Sequence, residues 1–214
     1  MTDIPKLVLA VSLAVALAGV GVWIFQLFSR KSVCDPSPAK GSDSLGVLYA
    51  FTIGMLPWKK ESATLHWQVY LRGIGFHIGI FAGILALALS IFNVTIPTFV
   101  NQALVVMLWL GVLCGLLAIL ARATEANLRG ISGADDYISP ALVTLFMSAA
   151  ALNSMELLGA AYFYIATSVL CLYLPWSKVR HCVYFFFLRG KIGAMMGHRG
   201  MLTAPDSHAG KETR

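Results

Sequence analysis

Residues 7–28 form an apolar run interrupted only by Ser12 and Gln26 and preceded by a single lysine, Lys6. The hydrocarbon core of a bilayer takes about 20 apolar helical residues to cross. Inside it every backbone amide must be satisfied internally, so a segment of this kind is a helix. Comparable runs follow at 73–92 and 103–121, with a shorter one at 138–152. A last run at 157–176 continues with further apolar residues after a basic interruption. The expectation is an all-α membrane protein with five transmembrane helices. The composition agrees, with 58% hydrophobic and 12% charged residues. The first run is longer than the core of a usual signal peptide and no small-residue cleavage pattern closes it, which predicts a retained span.

Placement of the basic residues orients the spans. Arg30, Lys31, Lys40, Lys59, Lys60 and Arg72 lie between the first and second runs, and Arg122 and Arg129 between the third and fourth. Lys178, Arg180, Arg189, Lys191, Arg199, Lys211 and Arg214 follow the fifth. The connections at 93–102 and 153–156 carry none. The N-terminus is therefore expected outside and the C-terminus in the cytoplasm. The net charge of +6 reports topology rather than affinity for nucleic acid.

The connection 29–72 begins turn-rich and polar. It then mixes Trp58, Trp67 and Tyr70 with Lys59 and Lys60, the make-up of an interfacial segment or a docking surface. Residues 1–190 are expected to form one membrane domain that includes this connection. Residues 191–214 read as a cytoplasmic tail, extended on a partner or disordered. The four cysteines, Cys34, Cys114, Cys171 and Cys182, show no paired or metal-ligand spacing.

Two histidines stand out. His77 lies in Gly73-Ile-Gly-Phe-His-Ile-Gly, and His181 in Leu174-Pro-Trp-Ser-Lys-Val-Arg-His. An ionisable side chain at membrane depth is a functional-site hypothesis by default. His77 sits about 6 Å past Gly73 at the helical rise of about 1.5 Å per residue, and His181 is beside Lys178 and Arg180. The charge topology thus predicts both imidazoles at one depth, near the cytoplasmic face, on different helices. A bis-histidine haem needs that arrangement. Its propionates would meet Arg72, Arg122, Lys178 and Arg180. The competing reading is two histidines that hydrogen-bond backbone carbonyls or reach to the interface. His66 reads as an interfacial side chain, and His198 and His208 as solvated. Gly75, Gly79 and Gly83 form a ridge that suits a flat macrocycle or a neighbouring helix equally well. Tyr162, Phe163, Tyr164 and Tyr173 read as packing.

Five spans, with Phe76-His-Ile-Gly79 opening the second and Leu174-Pro-Trp-Ser-Lys-Val-Arg-His181 closing the fifth, resemble the cytochrome b (gamma) subunit of respiratory nitrate reductase. The segment Gly54-Met-Leu-Pro-Trp-Lys-Lys-Glu-Ser-Ala-Thr-Leu-His66 looks closer to haem b membrane subunits that partner heterodisulfide-reductase-like iron–sulfur proteins in sulfate reducers. The resemblance covers about residues 1–190. It implies a haem b near the cytoplasm with His77 and His181 as axial ligands. A second, outer haem of that family would need histidines at positions 87 and 163, where this chain has Leu87 and Phe163. One haem is therefore expected, and the family's outer quinol site is in doubt.

The resemblance further implies a subunit of the bacterial or archaeal cytoplasmic membrane. It would carry electrons between the quinone or menaquinone pool and a cytoplasmic iron–sulfur subunit docked on Lys59, Lys60, Arg189 and Lys191. Further membrane subunits and periplasmic subunits such as multihaem cytochromes would complete the complex. A haem-free anchor or scaffold is the alternative. A transporter is third, because apart from the histidines the runs hold almost no ionisable groups. No nucleophile–base pair or carboxylate dyad is found, so catalysis would belong to the complex.

Overall fold

A computed structural model describes residues 3–29, 37–59, 63 and 65–201. Arg30, Lys31, Cys34, Lys60, His208, Lys211 and Arg214 lie outside the described residues. Every regular element among the described residues is helical. In chain order they are α1 (Asp3–Ser29), α2 (Asp43–Phe51), α3 (Trp67–Phe92), α4 (Thr98–Thr124), α5 (Ala126–Ile131), α6 (Asp135–Ser154), α7 (Ala160–Tyr173) and α8 (His181–His198). Single 3₁₀ turns occupy Ile53–Met55, Pro57–Lys59, Leu174–Trp176 and Lys178–Arg180.

Among the described residues four helices, α1, α3, α4 and α6, are long and apolar enough to cross a membrane, and the count is five if α7 and α8, bent by 76° at a break near Ser177, form one span. Each of these four helices outruns the apolar run that announced it, because a helix keeps its backbone bonds after its side chains turn polar, whereas α7 stops short of its run at Tyr173. Large apolar side chains remain outside, Leu7 at 65% exposure, Phe81 at 68% and Val106 at 67%. A surface of this kind suits a lipid environment.

The chain divides into two compact units. The first is Met1–Trp23 with Gln68–Arg180, the second Ile24–Trp67 with His181–Arg214.

In the first unit, α3, α4 and α6 meet through small residues. A Cβ on Gly75 would lie 2.7 Å from Cys114 Sγ, and one on Gly83 would lie 2.6 Å from Phe146 Cε1. Between them, Gly79 faces Gly111 of α4, with Met147 of α6 closing the junction. The ridge of glycines is thus occupied by neighbouring helices, and close helix packing is its explanation. Leu108, Met147, Phe146 and Phe163 form the centre of the apolar core. The small face of α1 buries Leu9, Ser12 and Ala16. Gly19 abuts Pro175, and Trp23 Nε1 donates to the Pro175 carbonyl at 3.0 Å.

α3 ends on Asn93 at φ 50°, and Val94 N–H bonds back to the Leu89 carbonyl at 2.9 Å. α6 ends on Glu156 at φ 59°, and Leu157 N–H reaches the Leu152 carbonyl at 3.0 Å. Both are left-handed terminations that satisfy otherwise orphaned carbonyls.

In the second unit α2 packs on α8. Gly46 of α2 lies directly against Gly193 and Gly197 of α8, with no room for a Cβ at any of the three. Arg189 ties the end of α2 down, with Nε donating to the Ala50 carbonyl and Nη2 to the Gly54 carbonyl, both at 2.7 Å. The tail expected to be extended or disordered after Arg189 is instead helical to His198. The reason is this glycine seam, which lets a polar-bordered helix bury its backbone against α2. His198, expected to be solvated, pairs with Asp43 at 3.2 Å and with the Ser37 carbonyl at 2.9 Å.

Candidate functional site

His77 stands on the exposed side of α3, four residues beyond Gly73. Its Nδ1 lies 2.7 Å from the Gly73 carbonyl oxygen. A carbonyl only accepts, so Nδ1 carries the proton in this bond. In the neutral ring the lone pair then sits on Nε2, the nitrogen a metal takes, and a backbone acceptor on Nδ1–H is the usual means of fixing a ligating histidine. The donor chemistry at His77 therefore fits an axial ligand. His181 opens α8 and is exposed. His77 belongs to the first unit and His181 to the second. His66 is exposed, next to the start of α3.

The four cations expected to meet propionates all engage the protein. Arg72 Nη1 donates to the Leu117 carbonyl at 3.4 Å. Arg180 stacks its guanidinium 4.7 Å above the Trp23 ring. Arg122 and Lys178 converge on one carboxylate, Asp136. Lys178 Nζ is 2.7 Å from both of its oxygens, and Arg122 Nη1 is 3.6 Å from Oδ1. Arg122 Nη1 also donates to Ser132 Oγ at 3.2 Å.

Asp135, beside it, accepts from Ser139 Oγ at 2.6 Å, Tyr173 Oη at 2.5 Å and the Lys178 amide at 2.8 Å. The two acids sit in the first turn of α6, where the helix dipole favours negative charge. Together they join α4, α6, the end of α7 and the Lys178–Arg180 turn at one end of the first unit. Sequence reasoning passed over Asp135 and Asp136. The available signal was an acidic pair opening an apolar run, with basic residues at the ends of the neighbouring runs.

At the positions where the resembled family carries its outer haem ligands, Phe163 is fully buried in the apolar core and Leu87 packs against that core. Tyr164, also buried, donates to the Ser90 carbonyl at 3.0 Å. Near the same region a polar cavity of about 460 Å³ is bordered by Ser90, Asn93, Asn101, Asn153 and Glu156. Cys114, Cys171 and Cys182 are free thiols. Among the described residues no three His, Cys, Asp or Glu side chains gather as a metal-binding group. A bis-histidine haem needs only two.

Compared with known protein families, curated proteins and solved structures, the chain matches none.

Proposed function

We propose that the chain is the membrane subunit of a respiratory oxidoreductase complex. In this reading it transfers electrons between the quinone or menaquinone pool and a cytoplasmic iron–sulfur subunit through one b-type haem. Its N-terminus lies outside and its C-terminus in the cytoplasm of a bacterial or archaeal cell. His77 and His181 are the axial ligands. The haem, when bound, supplies a one-electron carrier. The chain's own residues hold and orient it and keep its surroundings apolar.

The observation that carries the reading is the Gly73–His77 hydrogen bond, which sets the ring with Nε2 as the donor nitrogen. Phe163, fully buried, and Leu87, packed against the core, support one haem rather than two. Dithionite reduction of the purified membrane complex should give a b-type alpha band, and His77→Ala or His181→Ala should each abolish it. Haem content unchanged in both variants would end the proposal.

A second reading, a haem-free anchor of such a complex, is favoured by one observation. Arg122 and Lys178, expected to meet propionates, already share one carboxylate, Asp136. A featureless difference spectrum of the intact complex selects it.

A further inference from the structure

The second unit holds a groove of about 480 Å³ along the α2–α8 seam, within the range of small-ligand sites. Its lining carries Lys59, Arg189 and Tyr49, with the Phe185 ring 5.8 Å from the Arg189 guanidinium, and Ile192 and Met196 follow about one and two turns further along α8. Arg189 is fixed there by two neutral carbonyls, Ala50 and Gly54, which satisfy donors without cancelling its charge. No carboxylate among the described residues forms an ion pair with Arg189 or Lys59, and none lines the groove. No histidine lines it either. The polar part therefore offers positive charge, and has no carboxylate or imidazole to take a proton from a quinol. It matches an anion. The apolar part is continuous with it, so the anion that fits also carries hydrocarbon. Trp58, 68% exposed and adjacent to Lys59, is the type of side chain that anchors a segment at headgroup level.

We propose that this groove binds an anionic phospholipid. The headgroup phosphate lies between Lys59 and Arg189, and an acyl chain lies along Ile192 and Met196. No histidine lines the site, and it does not depend on haem.

The test uses the full-length protein, purified in detergent and delipidated, titrated with phosphatidylglycerol and read by native mass spectrometry. Phosphatidylcholine and inorganic phosphate are the comparison ligands. One tight phosphatidylglycerol site is expected, with weaker phosphatidylcholine binding and no displacement by phosphate at equal concentration. Lys59 sits on an exposed turn, so Lys59→Gln should keep the fold by circular dichroism. It should weaken phosphatidylglycerol binding about fivefold, as expected for one cation at a lipid surface. Met196→Trp, which fills the apolar part, should weaken binding of the lipid and leave Lys59 in place. Equal affinity for the two lipids would overturn the proposal. So would unchanged binding in Lys59→Gln, or displacement by free phosphate. His77→Ala should retain the lipid site, so failure of the haem reading and failure of this one are told apart.

Discussion

Gly79 of α3 and Gly111 of α4 meet backbone to backbone. A Cβ on Gly79 would stand 2.5 Å from Gly111 Cα and 2.8 Å from Met147 Sδ, and one on Gly111 would stand 2.6 Å from Gly79 Cα. Three helices share this point, so no side chain can be added without parting them. Gly79→Val is expected to cost about 1–3 kcal/mol, the usual penalty for overfilling a packed core. Thermal unfolding in detergent measures it. Gly21→Val, on α1 where nothing lies within 4 Å, is the control, expected to change stability by no more than about 0.5 kcal/mol.

Asp135 and Asp136 differ in what their removal leaves behind. Asp136 pairs with Lys178 and Arg122, whose side chains are 61% and 36% exposed, and accepts from the exposed Gly133 amide, so its partners return to water. Asp135 accepts from the Tyr173 hydroxyl, the Ser139 hydroxyl and a backbone amide, and these lose their common acceptor. Asp135→Ala is therefore expected to lower stability by about 2 kcal/mol, in line with hydrogen bonds to a charged group. Asp136→Ala is expected to lower it less. A reversed order in melting temperature contradicts this account.

Arg189 holds the second unit by hydrogen bonds rather than by an ion pair. Arg189→Gln cannot reach both Ala50 and Gly54 in the same fork geometry. The variant should unfold α2 from α8 locally, with a loss of about 1–3 kcal/mol for the orphaned carbonyls. Hydrogen exchange over residues 43–59 should rise while exchange in α3 and α4 stays unchanged.

His198 separates structure from ligation. Its ring bridges Asp43 and the Ser37 carbonyl within the second unit. His198→Ala should increase proteolysis near residues 37–42 and leave any b-type alpha band intact, whereas His77→Ala removes the band. Loss of the band in His198→Ala would point to a different ligand pair.

The spans were legible because apolar runs of bilayer length permit no other backbone. Their ends were not, since Trp67 and Gln68, or Thr98 and Asn101, are polar or amphipathic residues that a helix accepts at an interface. α8 was hidden by Arg189 and Lys191, which break the apolar pattern. Its true signal is the spacing of Gly193 and Gly197, readable only with Gly46 known as their partner. The ridge of Gly75, Gly79 and Gly83 was visible in the sequence, yet whether a helix or a flat ring fills it depends on what lies opposite, and that is Gly111, Cys114 and Phe146. The positions of Arg122 and Lys178 were legible at one end of the spans. Their shared acid was not, because Asp136 reaches them only through tertiary packing.

Leu87 and Phe163 have one more consequence. They pack in or against the apolar core, and Leu87 lies ten residues along α3 from His77, about 15 Å at the helical rise. On the proposed reading that half of the bundle is an insulator. An electron held near His77 then enters and leaves without traversing the bilayer, so its passage neither builds nor draws on the membrane voltage. A full crossing would couple it to about 2.3 kcal/mol per 100 mV.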